Sequence, residues 1–227
     1  MPRTALLAPE IPLRCSAPGI GHGFKHHWDL MALSLLLILA NRTLLDSTVN
    51  SAWTYHPIPL EAGEWWRLAS YAFVHLSWYH LLLDAGAFFL LYTGLKQTRC
   101  AVRLAILAAC SAGSLLFGVW LGTAQQLGLA GLSGVDHGLM AIAALQLMRS
   151  ADQRKWGLAG LALVVGKSAF ELATGHVVFG ALHGGMCGIP VAASHAGGVL
   201  AGMLAFMALE SRRHLLKANF QRAEKES

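Results

Sequence analysis

The sequence predicts an all-α membrane protein, a bundle of six transmembrane helices in one compact domain, and three observations lead to that prediction. Of 227 residues, 55% are hydrophobic and only 13% charged, and the mean hydropathy is positive, a balance typical of integral membrane proteins. The apolar residues fall in blocks separated by short polar, basic or Gly-rich breaks. A membrane-crossing helix needs roughly 20 mostly apolar residues, because lipid offers no partner for backbone N–H and C=O. Lys and Arg, finally, cluster in alternate breaks, as they should if those breaks share the cytoplasmic side.

The blocks cover about residues 28–45, 78–95, 101–121, 133–148, 156–172 and 191–209. In the first, the uninterrupted apolar core runs only over 30–40 before Asn41 and Arg42. The fourth is short for a full crossing, which fits a helix that begins below the membrane surface, where irregular backbone is tolerated because it lines a cavity. The expected organisation is a cytoplasmic segment 1–27, a membrane domain 28–209 and a cytoplasmic tail 210–227 whose polar composition suits a helix end or disorder. Residues 1–27 carry prolines, glycines and histidines without a short apolar core after a basic start, so no cleaved signal peptide is expected.

Fourteen of the 17 Lys and Arg lie in four groups: Arg3, Arg14 and Lys25; Lys96, Arg99 and Arg103; Arg149, Arg154 and Lys155; and Arg212 to Lys225. With six crossings all four share one side, the cytoplasm, and both termini lie there. The positive balance therefore reports topology, and nucleic acid is not an expected partner, since no soluble basic face with aromatic platforms is present. Cys15, Cys100, Cys110 and Cys187 show no CxxC spacing, so neither a disulfide framework nor a zinc site follows. The 11 histidines are scattered and no HExxH occurs; no metal and no organic cofactor is expected.

Polar residues inside apolar spans are costly, so those that remain are functional candidates: His80, Asp84, Ser133, Asp136, His137, Lys167, Glu171 and His195. Ser133 stands in GLSGVDHGLM, bracketed by Gly131 and Gly134 at the start of the fourth helix. A helix N-terminus offers free N–H groups and partial positive charge, which suits an oxyanion forming beside a serine. Taken alone, the tetrapeptide reads more readily as a close-packing motif than as a nucleophile. The sixth span, however, contains SHAGGVLAG, where His195 precedes Gly198 and Gly202 at four-residue spacing, and the fourth helix carries Gly134 and Gly138 at the same spacing. Two such faces can meet backbone to backbone, bringing His195 within reach of Ser133 as the base to its nucleophile.

Three segments together resemble the rhomboid family: GEWWRLASYAFVHLSWYHLLLD from Gly63 to Asp84, with its Trp66-Arg67 pair, then GLSGVDHGLM, then SHAGGVLAG. The resemblance implies a six-helix core open to water from the extracytoplasmic side, a Ser133–His195 dyad, and His80 as an oxyanion donor. Asp84 occupies the position where many rhomboids carry asparagine. An ionised carboxylate there would repel an oxyanion, so Asp84 is either protonated and donating or paired with His80 one turn away, and the i,i+4 spacing favours the pair. His137 stands where rhomboids often place a tyrosine against the catalytic histidine, so stacking is favoured over a role as base. For Asp136 two readings stay open, a partner orienting a histidine or a dipole partner at the helix start. Lys167 and Glu171, at i,i+4, read as a structural ion pair in preference to a substrate contact. Glu64 and Arg67 read as a loop anchor, and Trp53, Trp65, Trp66 and Trp78 as an aromatic belt. Residues 122–131 and 175–193 are the expected cap and gate.

The fifth-span pattern GKSAFELATG, with Asp84 and a compact chain, looks most like the rhombosortase branch. That resemblance implies a bacterial inner membrane and substrates with a C-terminal GlyGly sorting helix and a basic tail. The expected function is an intramembrane serine endopeptidase cleaving a transmembrane protein substrate near the extracytoplasmic face, with that substrate and the lipid bilayer as partners. A catalytically silent rhomboid-like escort of membrane proteins is the alternative, disfavoured because Ser133 and His195 are both present.

Overall fold

A computed structural model describes residues 28–97, 99–121, 123–178, 180 and 184–226; the expectations for residues 1–27, and for parts of the cap and gate, lie outside this set. Among the described residues there is no strand, only an isolated bridge between Tyr55 and Leu129. The helices are α1 (Trp28–Asn41), α2 (Pro57–Glu61), α3 (Arg67–Ser70), α4 (Trp78–Thr93), α5 (Cys100–Trp120), α6 (Thr123–Leu127), α7 (Ser133–Leu147), α8 (Arg154–Thr174) and α9 (Ala192–Glu226).

Among the described residues, four helical segments are long and apolar enough to cross a membrane: Trp28–Asp46, where a 3-10 turn prolongs α1, Cys100–Trp120, Arg154–Thr174 and Ala192–Lys225. A fifth crossing follows if Arg67–Phe73 and Trp78–Thr93, bent by 95° across a short break, act as one span. At 1.5 Å per residue α7 reaches only about 22 Å, because it has 15 residues. The polar residues from Ser211 onward do not form a separate coil but continue α9 as helix to Glu226.

These helices are apolar on the outside as well as the inside. Met31, Ile38, Leu82, Leu90, Trp120 and Leu163 all face outward, a distribution expected when the surrounding medium is hydrocarbon. Trp65, Trp66 and Trp78 are likewise exposed. The interior holds Tyr71, Phe88, Tyr92, Leu132, Leu139 and Ile142 in one core, and α9 packs along both α5 and α7. A Cβ built on Gly198 would collide with the Gly134 carbonyl oxygen, and one on Gly202 with that of Gly138. The two helices therefore touch backbone to backbone over one turn, with no room for a side chain. A second approach, not foreseen from sequence, joins α5 to α9, where a Gly113 Cβ would lie 2.6 Å from the Gly197 oxygen.

Near the start of α1, Arg103 Nε meets Asp29 Oδ2 at 2.9 Å, and Tyr92 OH donates to the same oxygen at 3.0 Å. This buried group ties α1, α4 and α5 together. Around α2 and α3, Arg67 bonds Glu64 Oε2 at 2.7 Å, Thr54 O at 2.7 Å and Ser51 O at 2.5 Å. The loop anchor read from Glu64 and Arg67 is thus a guanidinium that satisfies three acceptors at once.

Candidate active site

Ser133 opens α7, and the segment before it is pinned from two sides. Leu129 exchanges backbone hydrogen bonds with Tyr55 at 3.0 and 3.1 Å, and Gly131 N–H donates to Tyr71 O at 3.1 Å. Gly131 has φ +102°, a conformation that side-chain-bearing residues rarely adopt. A Cβ there would lie 2.8 Å from His80 Nε2 and 2.9 Å from Asp84 Oδ2, so the glycine also lets those side chains pack on the backbone beside Ser133. No side chain caps α7, leaving its first N–H groups available to an anion.

His195 Nε2 lies 3.2 Å from Ser133 Oγ, across the α7–α9 glycine contact. Its Nδ1 lies 2.7 Å from Glu171 Oε2, and Glu171 is fully buried. The other carboxylate oxygen accepts from Lys167 Nζ at 2.7 Å and from Val178 N–H at 2.9 Å. Lys167 also reaches His137 Nε2 at 2.9 Å, while His137 Nδ1 meets Ser133 O at 2.7 Å. The His137 ring lies parallel on His195, 4.1 Å between centroids and 8° between planes.

The donors and acceptors set the tautomers. An ammonium only donates, so His137 Nε2 accepts and its Nδ1–H donates to Ser133 O. A carboxylate only accepts, so His195 carries its proton on Nδ1 and turns the Nε2 lone pair toward Ser133 Oγ. His137, with its free nitrogen engaged by Lys167, is placed to stack on His195 and not to take the Ser133 proton.

On the opposite side of Ser133, Ser77 caps α4 by accepting from His80 N–H at 3.1 Å, and its hydroxyl donates to Met186 O at 2.6 Å. Leu76 N–H donates to His80 Nδ1 at 3.3 Å, so the His80 proton is on Nε2, which faces Asp84 Oδ2 at 3.2 Å. His75, one residue before this turn, approaches the same oxygen at 3.4 Å. Asp136 is buried on the same side of α7 and its Oδ1 has no partner among the described residues. A pocket of about 410 Å³ joins the two sides, lined among others by His80, Asp84, Ser133, Asp136, Lys167 and His195.

The structure thus brings Ser133 and His195 together, with His137 stacked on His195, Gly131 packed against His80 and Asp84, and Asp84 beside His80. Asp136 is not the partner of His195; that place belongs to Glu171. The ion pair of Lys167 and Glu171 is present, but sequence reasoning missed that Glu171 also holds His195, and it missed His75. A usable signal existed for the first, since an intramembrane histidine acting as base needs an acceptor at its other nitrogen. Ligand atoms of His137, Glu171 and His195 lie within 4.8 Å of one another. This set does not suit a metal ion, because the Lys167 ammonium already stands against Glu171 and His137 as the local cation.

A serine–histidine pair thus lines a pocket inside a helical bundle that is apolar on its outside, the arrangement of a membrane-embedded protein. The family model for the Rhomboid domain matches residues 62–212, and the chain belongs to the rhomboid family. Its members are intramembrane serine proteases that act on transmembrane substrates within the bilayer, and the chain is an integral, multi-pass membrane protein. A search of curated protein sequences finds no match.

Proposed function

We propose that the chain is an active intramembrane endopeptidase using Ser133 as nucleophile and His195 as general base. One observation carries the reading: Ser133 Oγ lies 3.2 Å from His195 Nε2, at the open N-terminus of a helix and in a pocket shared with His80 and Asp84. His195 takes the serine proton as Oγ attacks the carbonyl, the N-terminal N–H groups of α7 receive the oxyanion, and His195 then protonates the leaving amine. Water releases the acyl group.

The proposed topology has six crossings, formed by α1 with its 3-10 turn, α4, α5, α7, α8 and the first half of α9, with both termini cytoplasmic. Arg99, Arg149, Arg154 and Arg212 then share one side, opposite Ser133, as the positive-inside rule asks. His80, Gly131 and Asp84 form the oxyanion side of the site, and His137 steadies the base. The pattern around Lys167 and Glu171, together with Asp84, supports a rhombosortase in a bacterial inner membrane that processes a GlyGly-bearing C-terminal sorting helix.

Co-expression with a tagged substrate bearing such a helix tests the proposal. Wild type releases the soluble product, whereas Ser133→Ala and His195→Ala do not; cleavage persisting in Ser133→Ala removes the central claim. A fluorophosphonate probe that leaves wild type unlabelled while labelling an active control protease would favour the silent escort instead.

A further inference from the structure

We propose that Glu171 is a positioning residue for the base, so that the site works as a Ser133–His195–Glu171 relay and not as a dyad; this rests on the proteolytic reading above and deepens it. The ion pair with Lys167 does not by itself explain the placement of this carboxylate. Its two oxygens are divided between tasks: Oε2 accepts from His195 Nδ1 at 2.7 Å, while Oε1 takes Lys167 and the Val178 N–H. The second pair of contacts stops the carboxylate from rotating away from the first.

His195 is therefore held in its plane from two directions. Glu171 fixes the ring nitrogen along the edge, and His137 covers the face at 4.1 Å and 8°. With Nδ1–H committed to Glu171, the Nε2 lone pair has Ser133 Oγ as its target. During attack the Oγ–C bond forms as the Oγ proton moves to Nε2; the Nδ1 proton stays where it is. The resulting imidazolium stands 2.7 Å from a fully buried carboxylate, where weak screening makes the attraction large. Cleavage of the C–N bond then draws the Nε2 proton to the leaving nitrogen, and the relay returns to its starting charge. Lys167 balances Glu171 in the resting state, which lets an ionised carboxylate persist in this interior.

The acid stands on α8, near its end, and the same carboxylate holds Val178 in the segment that follows. The base is consequently aligned only while α8 and this segment stand in place, linking catalysis to the helix that flanks the pocket.

The test is detergent-solubilised full-length protein assayed with the tagged substrate. Glu171→Gln, which keeps the size but removes the charge and turns one of the two acceptor oxygens into a donor, is expected to lower kcat by about 10³-fold with KM unchanged. Glu171→Asp should recover part of the loss. In the parent protein, proton NMR with 15N-labelled histidine should show a strongly deshielded Nδ1–H, identified by its absence in His195→Ala. A folded Glu171→Gln protein with kcat within about threefold of the parent overturns the proposal, as does an Nε2-protonated tautomer of His195. The NMR reading decides the matter if Glu171→Gln fails to fold. Loss of cleavage in Ser133→Ala alongside full activity in Glu171→Gln would sink the relay and leave the protease; activity in Ser133→Ala would sink the protease.

Discussion

The two sides of Ser133 are built differently. Toward α8 and α9, no buried polar atom of His137, Glu171 or His195 lacks a hydrogen-bond partner, whereas toward α4 both ring nitrogens of His75, Asp84 Oδ2 and Asp136 Oδ1 are buried without one among the described residues. His75 and His80 do approach Asp84 within ion-pair range, but without hydrogen-bond geometry. Buried polar groups left unpaired are costly, and satisfied networks are rigid. The contrast fits the proposed division of labour, in which the side of His195 is finished before substrate arrives while the side of His80 holds bonding capacity that no described residue uses.

That contrast can be broken by substitution. His195→Ala removes the base and should lower kcat by at least about 10⁴-fold, measured as product released per hour; a smaller loss would mean that another group serves as base. Glu171→Gln follows at about 10³-fold, since it leaves the base present but unsteered. Gly131→Ala comes third. It forces a methyl into a φ of +102° and against His80 Nε2, so a decrease near 10²-fold in kcat, about what loss of one oxyanion donor costs, should accompany about 1–3 kcal/mol of destabilisation in a thermal melt. Parent-like turnover would separate the α4 cluster from the chemistry. The smallest effect is assigned to Asp84→Asn, about tenfold, as expected from losing the close-range attraction between the carboxylate and the His80 and His75 rings. If this variant cleaves as fast as the parent at every pH, the Asp84 charge is irrelevant.

Much of the architecture was legible without coordinates. The apolar blocks at 101–121 and 156–172 differ from α5 and α8 by at most two residues at either end, because hydrocarbon demands long apolar runs and punishes polar breaks. The short α7 was legible for the same reason. The fate of the tail was not: its polar composition is equally at home in a solvated helix and in coil, and the structure continues α9 through it.

For the site, sequence alone determined which residues were candidates and that the Gly134–Gly138 and Gly198–Gly202 faces were capable of meeting, since spacing defines a face about a helix's own axis. It also placed Lys167 beside Glu171 and His80 beside Asp84, as partners one turn apart. Only the tertiary structure decided that Glu171 turns one oxygen to His195, that His75 joins Asp84, and that Asp136 faces the α4 side. Those contacts depend on how α4, α7, α8 and α9 are rotated against one another, and a periodicity within one helix carries no information about its neighbour's rotation.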